Sequence, residues 1–329
     1  MITKEIDLAV ELLQKNEIVA IPTETVYGLA GNAYNQKAIQ KIFEAKNRPQ
    51  YDPLIVHTYS LDNAKDFVTS IPSIFYELAN IFSPGALTFL LPKKNIIPDI
   101  VTSHLPTVAV RIPNHSLTLS LLKKLDFPLA APSANPFGYI SPTTAQHVEA
   151  QLGDKIPLIL DGGACEIGVE STIIGEKNGQ ITIFRYGGVS KEDLEAWTGQ
   201  IIQAQISSSN PTAPGQLESH YAPEKKMYFI KRNDIEIQNN TIHLKNFDVF
   251  DINEVGFLGF DEYLEKIPRE NQIILAENGN IQLAAQRLFG AMRELDKKNI
   301  KIIITFGVPT YQIGLAINDR LQRASTYLQ

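Results

Sequence analysis

The chain has 329 residues, a length typical of about two domains, with 44% hydrophobic and 20% charged residues, as in ordinary globular proteins. A formal net charge of −6 argues against a protein that binds long nucleic acid over its whole surface, although a local basic pocket for a small anion is compatible with it. The single cysteine, Cys165, excludes an internal disulfide and a multi-cysteine zinc site. No apolar run reaches about 18 residues and no signal-peptide pattern is evident, so we expect a cytoplasmic protein with no membrane partner.

Residues 1–206 predict an alternation of helices and short strands. Apolar residues from Ile6 to Leu13 recur with helical spacing, and the run Ile18–Ile21 predicts a strand. Asn35 is a candidate cap for a helix that ends near Asn47-Arg48-Pro49. Further helices are expected after Ser60 and Pro72, and further strands at Leu54–Val56, Leu87–Leu91, Val108–Ile112, Leu129–Ala131, Leu158–Leu160 and Thr182–Phe184. This order predicts an α/β domain with a mixed sheet.

The composition changes at residues 207–225, which are rich in serine and proline and predict a linker or lid. Residues 226–329 predict a second, smaller α/β domain. Its clearest helix carries apolar residues at i, i+3, i+4 and i+7 from Ile281 to Leu295. The strand Ile302–Phe306 and a helix from about Gly314 to Arg323 follow.

Polar and basic residues follow several of the predicted strands and helices. The stretch IPTETVYGLA ends an apolar run at Pro22 and then presents hydroxyl and acidic groups before an expected turn at Tyr27-Gly28. Strand ends of this kind are where α/β proteins tend to hold small ligands. Comparable positions are occupied by Lys46, Arg48, His57, Arg111, Ser133, Asn135, Ser171 and Arg185.

Each of these residues also has a purely structural interpretation. Lys46 and Arg48 could complement a helix C-terminus, His57 could be a hydrogen-bonded core histidine, and the two strand-end arginines could be surface charges. As a set, however, three arginines and a lysine with hydroxyls and glycine turns suit an anionic phosphate chain.

Several familiar catalytic motifs are absent from the sequence. There is no GxxxxGK[ST], no GxGxxG after a strand, and no evident Ser-His-Asp or Cys-His set. Cys165 is interpreted as a small buried residue. The pattern therefore predicts a site that works by positioning and charge stabilisation instead of covalent catalysis.

Taken in order, nine motifs resemble one family: PTETVYGLA, KNRP, PLIVH, SPGALT, TVAVRIP, APSAN, DGG, VEST and FRYGG. They are similar to the successive motifs of the YrdC-type threonylcarbamoyl-AMP synthases. APGQLESHYAP and GLAINDRLQRAS are similar to the long form of that family, which carries an extra C-terminal domain. The resemblance implies a YrdC-like, twisted mixed-sheet domain with a basic pocket, linked to a smaller Rossmann-like α/β domain.

The resemblance also implies a reaction. L-threonine, bicarbonate and ATP, with Mg²⁺ accompanying ATP, would give threonylcarbamoyl-AMP and pyrophosphate. A downstream tRNA threonylcarbamoyl-transferase would pass the group to the adenosine next to the anticodon, and we expect no tight direct binding of tRNA to this chain.

The family's functional positions fall on definite residues of this sequence. Those matching the threonine site are Thr25, His57, Arg111, Ala131 and Ser171. Those matching the ATP site are Arg48, Asp52, Thr107, Ser133, Asn135, Ser141, Arg185 and Tyr221, with Lys46 and Arg48 as the expected catalytic cations and no protein metal ligand. Asp52 departs from the family pattern, which usually has asparagine there. Its carboxylate would repel phosphate unless Mg²⁺ lies nearby or it accepts a hydrogen bond.

Two other functional classes fit the sequence less well. A nucleic-acid-binding module would spread basic and aromatic residues along a groove, whereas the basic residues here fit one compact pocket. A carbamoyl-transfer maturation factor needs cysteine-rich zinc modules, which one cysteine excludes. Finally, residues 207–223 are expected to fold back as a lid in which Tyr221 contacts ATP, the alternative being a passive tether.

Overall fold

The structure is a computed structural model that describes residues 1–206, 213–216, 220–244 and 249–326. The chain divides into two compact units. Unit 1 comprises Met1–Phe137 and Ser141–Glu218, and unit 2 comprises Gly138–Ile140 and Ser219–Gln329. Among the described residues, none of the helices is long and apolar enough to cross a bilayer.

The predicted linker, residues 207–225, is divided between the two units. Residues 213–216 group with unit 1 and residues 220–225 with unit 2. The remaining linker positions, 207–212 and 217–219, lie outside the described residues.

Unit 1 is built on one mixed sheet. Its strands are β1 (Ile2–Thr3), β2 (Val19–Ile21), β3 (Gly28–Asn32), β4 (Ile55–His57), β5 (Leu87–Pro92), β6 (Thr107–Arg111), β7 (Leu129–Ala130), β8 (Leu158–Leu160), β9 (Thr172–Lys177), β10 (Gln180–Arg185) and β11 (Gln203–Ala204). Its helices are α1 (Ile6–Gln14), α2 (Gln36–Lys46), α3 (Leu61–Ala64), α4 (Ser73–Phe82), α5 (Asp99–Thr102), α6 (Ser116–Lys124), α7 (Ala145–Leu152) and α8 (Lys191–Thr198). Within the described residues the strand order is β1-β8-β2-β3-β7-β4-β6-β5-β9-β10-β11, with parallel and antiparallel pairs mixed. The predicted mixed α/β architecture is confirmed.

Local signals place α2 where the sequence predicted it. The Asn35 side chain accepts hydrogen bonds from the amides of Lys37 and Ala38, which satisfies two of the free amides at the helix start. The helix ends at Asn47, whose φ of 52° is left-handed, just before Arg48. These two ends fix where Lys46 and Arg48 leave the helix.

The chain reversal after β2 differs from the prediction. β2 and β3 pair antiparallel with Ile21 opposite Gly28, so the reversal spans residues 22–27 and Gly28 is the first residue of β3. A Cβ at Gly28 would lie 3.2 Å from the Cβ of Ala131, so close packing, and not a turn, favours glycine at this position.

The two faces of the sheet are covered differently. On one face, α1 and α6 bury residues such as Leu13 and Leu121 against β2 and β8. On the other, α2, α4 and α7 enclose the larger core, which includes Ile42 and Phe75. Strand pairing places Leu129, His57, Arg111 and Thr88 side by side on the first face. The polar site residues therefore continue the face that begins under α1 and α6.

Unit 2 has its own parallel sheet. Its strands are β12 (Lys226–Phe229), β13 (Ile235–Gln238), β14 (Thr241–Leu244), β15 (Val249–Asp251), β16 (Val255–Gly259), β17 (Gln272–Ile274) and β18 (Ile302–Thr305), and its helices are α9 (Ile281–Lys297) and α10 (Gly314–Ala324). In the described part of the unit, β12-β18-β16-β17 form a parallel sheet and β13-β14-β15 an antiparallel meander. The predicted Rossmann-like character of this domain fits the parallel sheet, and the predicted helices and last strand are found where expected.

Candidate functional site

Arg111 lies at the end of β6 in a buried network. Its Nε donates to the Gly85 carbonyl at 3.3 Å, and its Nη2 lies 2.9 Å from Oε1 of Glu24. The other carboxylate oxygen of Glu24 accepts from the amide of Asn114 at 3.0 Å. Both side chains of the ion pair are 4% exposed, so the guanidinium is desolvated and held in one orientation. Sequence reasoning missed Glu24, although an acidic residue between two threonines after a buried strand was the available signal.

His57 lies beside Arg111, because the two residues are opposite each other in the β4–β6 pair. Burial, and then the charge of Arg111, lower the pKa of His57 from 6.5 to about 3. The imidazole is therefore neutral at physiological pH and offers a hydrogen-bonding ring without adding charge. Strongly perturbed titratable groups of this kind are enriched at functional sites.

Thr25 is fully buried in the loop that follows β2. The Thr23 hydroxyl lies 2.8 Å from that of Thr25 and accepts from the Thr25 amide at 3.1 Å. It also donates to the Val26 carbonyl at 2.6 Å. The loop thus holds the Thr25 hydroxyl by local hydrogen bonds, beside the residue that holds Arg111.

A second buried network joins Ser171 and Arg185. The Ser171 hydroxyl lies 2.7 Å from that of Thr88, the strand neighbour of Arg111. Arg185 donates to both the hydroxyl and the carbonyl of Ser171, at 3.1 and 3.0 Å. Its Nη1 also donates to the Pro214 carbonyl at 3.4 Å. Thr88 was not among the predicted site residues.

Lys46 is buried at the end of α2 and connects that helix to the loop after β7. Its Nζ donates to the carbonyls of Ser133 and Asn135, at 2.6 and 2.5 Å. Burial, and then the nearby charge of Arg48, lower the pKa of Lys46 well below its usual value. Because Lys46 donates to carbonyls that are distant in sequence, its role is not limited to interacting with the C-terminal carbonyls of α2. The side-chain Nδ2 of Asn135 donates to the Pro136 carbonyl at 2.9 Å.

Arg48 and Asp52 form a buried ion pair with 2.7 Å between Nη2 and Oδ2. Arg48 also donates to the carbonyls of Asp52 and Pro53, at 3.2 and 3.0 Å. Burial raises the pKa of Asp52, whereas Arg48 and, after it, the backbone amide of Gly215 favour the ionised form. The negative charge of Asp52, the residue that departs from the family pattern, is therefore balanced by Arg48. A phosphate bound by Arg48 would share the guanidinium with Asp52.

Residues 213–216 of the predicted linker lie against the sheet of unit 1. Ala213 joins an apolar cluster with Ile55, Ala109, Ile173 and Phe184. The Gln216 side chain donates to the carbonyls of Phe184 and Gln205, at 3.2 and 2.8 Å. Residues 213–216 are thus fixed to unit 1 next to Arg185.

The remaining predicted residues are more scattered. The Ala131 amide donates to the Ile55 carbonyl at 2.9 Å, and Ser141 donates to Glu170 at 2.7 Å. Thr107 lies on the same face of β6 as Arg111 but four positions away, or ~13 Å at the usual strand rise.

Tyr221 belongs to unit 2. Its ring stacks on Phe289, with 5.6 Å between centroids, and Arg320 lies 5.1 Å from its centroid. It is 1% exposed. Its expected contact with ATP stays a prediction.

Cys165 is buried, and burial raises its pKa to about 12, as expected for an unreactive thiol. Within the described residues, no group of three or more histidine, cysteine, aspartate or glutamate side chains is placed to hold a metal ion.

Two family models match the chain. One, described as "Telomere recombination" (Sua5_yciO_yrdC), matches residues 11–187, and "Threonylcarbamoyl-AMP synthase, C-terminal domain" matches residues 189–326. The chain belongs to the Sua5/YrdC family of threonylcarbamoyl-AMP synthases. The resemblance to the long form, predicted from the motifs, is confirmed.

Members of this family in distant organisms match nearly the whole chain. The threonylcarbamoyl-AMP synthase of Pyrococcus abyssi is 36% identical over 98% of this chain and 94% of the relative, and that of Bacillus subtilis is 38% identical over 98% and 93%. The crystal structure of P. abyssi Sua5 complexed with L-threonine has a TM-score of 0.84 at 34% identity and covers 97% of this chain and 94% of that one. A variant of the same protein, with a histidine and the adjacent tyrosine replaced by alanine, has a TM-score of 0.86 at 33% identity over 99% and 95% of the two chains. The predicted two-domain fold is confirmed by these likenesses.

Proposed function

We propose that this chain converts L-threonine, bicarbonate and ATP into threonylcarbamoyl-AMP and pyrophosphate, for modification of the tRNA adenosine next to the anticodon. The observation that carries the proposal is the buried arginine network of unit 1, in which Arg111 is held by Glu24 and Gly85 beside a neutral His57. A cation prepared in this way suits the carboxylate of an amino acid. The names of the full-length relatives and the threonine complex of the P. abyssi protein support the same assignment.

The threonine site is proposed at the end of β6. Arg111 would bind the substrate carboxylate, while Thr25, His57 and Ser171 offer hydrogen-bonding groups that add no charge. Ala131, on the neighbouring strand, would leave space for the substrate side chain.

The ATP site is proposed to extend from the Ser171–Arg185 network. Arg185, Arg48 and Lys46 would bind and stabilise the phosphates, with Lys46 and Arg48 as the catalytic cations. The negative phosphates would favour the charged form of Lys46, whose pKa is lowered by burial in the chain without ligand. Ser133, Asn135, Ser141, Asp52, Thr107 and Tyr221 complete the predicted contacts with ATP. The separation of Thr107 from Arg111 along one face fits a ligand as long as a nucleotide.

The proposed chemistry needs no protein nucleophile. The threonine amine attacks the carbon of bicarbonate and forms an N-carboxylate, with release of water. An oxygen of that carboxylate then attacks the α-phosphorus of ATP, and the bond to the leaving pyrophosphate breaks. Both reactants are anions, so holding them in line and neutralising their charge provides the catalysis.

Mg²⁺ is proposed to enter with ATP, bound mainly by phosphate oxygens and water, as is common for this ion. The buried carboxylates nearest the site already have partners: Glu24 pairs with Arg111, Asp52 with Arg48, and Glu170 accepts from Ser141. When bound, the metal would neutralise charge on the phosphates.

Residues 207–223 are proposed to act as a lid. The contacts of Ala213 and Gln216 with unit 1, and the bond from Arg185 to Pro214, support this. His220-Tyr221 is the one adjacent histidine–tyrosine pair in this sequence, the same residue types that are replaced in the P. abyssi variant. A closed lid would exclude water from a mixed anhydride that hydrolyses readily.

The product is proposed to pass to a separate tRNA threonylcarbamoyl-transferase, without tight binding of tRNA by this chain. Because ATP and tRNA are available in the cytoplasm, we propose that the protein acts there.

Pyrophosphate release tests the proposal. Release should require both L-threonine and bicarbonate, and serine should be a poorer substrate because a packed methyl group contributes ~1–3 kcal/mol. Release at the same rate without threonine would instead indicate an ATPase and would overturn the assignment.

A further inference from the structure

In the parallel sheet of unit 2, the connections that leave the neighbouring strands β16 and β18 run in opposite directions. β18 lies between β12 and β16. After β16 the chain continues to β17 on one side, whereas after β18 it continues through α10, which packs on β12 at the other side. The Thr326 amide, just after α10, donates to the carbonyl of Met227 in β12 at 2.8 Å, which holds the end of this connection beside β12. In open parallel sheets, ligands bind in the crevice beyond the carboxyl ends of strands at such a point.

A cavity of about 310 Å³ opens at this position, lined mainly by residues 259–262 and 306–309 with Arg232. This volume is at the lower end of the range of small-molecule sites, about 300–1,000 Å³. One wall is fixed by Asn318, whose side chain accepts from the Val308 amide at 2.9 Å and donates to its carbonyl at 2.7 Å. Gly307, with a φ of 83°, could not carry a side chain without meeting Asn318. The wall is therefore formed before any ligand arrives, which lowers the ordering cost of binding.

The lining combines the aromatic rings of Phe257 and Phe306 with the carboxylate of Asp261, which has no partner among the described residues. Phe306 and Phe257 have ring centroids 5.2 Å apart, and the Arg232 guanidinium lies 5.3 Å from the Phe306 centroid. Arg232 is ion-paired with Glu262. Asp261 is exposed, and no hydrogen bond or ion pair joins it to another described residue. These three charged groups sum to −1, which favours a neutral polar ligand over a polyphosphate.

We propose that this crevice binds a ribonucleoside, with its base against the aromatic wall and its ribose hydroxyls donating to Asp261. The geometry parallels that of dinucleotide-binding sheets, in which an acidic residue at the end of the strand beside the central one accepts from ribose hydroxyls. Here β18, one of the two inner strands, is followed by the Gly307 turn, and Asp261 follows the neighbouring inner strand β16. The site is separate in chemistry from the adenylate-forming site proposed in unit 1.

Titration of the full-length chain with adenosine tests this proposal. Saturable shifts of the Gly259 and Gly307 backbone amide signals are expected in ¹⁵N-labelled protein, and these signals report unit 2 even if adenosine also enters unit 1. 2′-Deoxyadenosine should bind at least about tenfold more weakly, because it lacks one hydrogen bond to a charged acceptor. ATP should bind no more tightly than adenosine.

Asp261→Asn should weaken adenosine binding at least about tenfold by the same signals. The matched control is Glu265→Gln, which changes an exposed carboxylate outside the crevice and should leave binding unchanged. Absence of saturable shifts in the wild-type chain would overturn the proposal. So would equal binding of adenosine by the wild type and Asp261→Asn, or equal binding of the 2′-deoxy compound.

Discussion

The neutral state of His57 makes the stability of unit 1 depend on pH in a defined way. The pKa of His57 is about 3 in the folded chain, against 6.5 for an ordinary histidine. As the pH falls below 6.5, the unfolded chain binds a proton at this residue that the folded chain does not, so the free energy of unfolding decreases until the pH approaches 3. Between pH 7 and pH 5 this one group should remove about 2 kcal/mol of stability.

Substitution of His57 isolates this contribution from those of other titrating groups. In His57→Gln, the loss of stability between pH 7 and pH 5 should be smaller than in the wild type by about 2 kcal/mol. Urea unfolding can be followed by the fluorescence of Trp197, the only tryptophan in the sequence, which lies in α8 of unit 1. His104→Gln, at a side chain that is 83% exposed, serves as the control for replacing a histidine by glutamine. If the wild type and His57→Gln lose the same free energy of unfolding between pH 7 and pH 5, His57 is not a buried, neutral histidine.

Three further predictions concern the site. Glu24→Gln should raise the KM for threonine about ten- to a hundredfold, because the buried ion pair that orients Arg111 is lost, with little change in the KM for ATP; an unchanged KM for threonine in pyrophosphate-release assays would contradict the positioning role. Asp52→Asn should keep or raise turnover because it removes a negative charge near the phosphates, whereas a loss restored by extra Mg²⁺ would make Asp52 a metal-linked residue. Gln216→Ala should speed proteolysis within residues 207–223, and ATP with threonine should slow it in the wild type. If neither the substitution nor the ligands alter the rate of cleavage, residues 207–223 are a passive tether.

The elements of unit 1 that could be predicted carry local signals, whereas the strands β1, β9 and β11 and the helices α5 to α8 were not predicted. Asn35 caps α2 as expected, and the apolar runs at Ile18–Ile21 and Leu158–Leu160 form β2 and β8. The strand at Gly28–Asn32 was missed because its glycines and alanine resemble a turn, whereas its pairing with β2 and β7 is what makes it a strand. In unit 2, β12, β16 and β17 were not assigned, since such short strands carry little periodicity of their own.

The partners of the site residues depend on contacts that are distant in sequence. The motif order brought together Arg111, Ser171 and Arg185, but no local pattern indicates that Glu24 pairs with Arg111 or that Thr88 contacts Ser171. Such pairs are set by strand order and register, which the spacing of residues does not determine.

The composition of the product is the most direct test of the proposal that this chain forms threonylcarbamoyl-AMP from threonine, bicarbonate and ATP. ¹³C-bicarbonate, ¹⁵N-threonine and ATP can be incubated with the chain and the mixture analysed at once by mass spectrometry, before the mixed anhydride hydrolyses. We expect one species that contains the ¹³C label, the ¹⁵N label and AMP, in equal amount to the pyrophosphate released. Pyrophosphate released without that species, or an AMP adduct of threonine that lacks ¹³C, would contradict it.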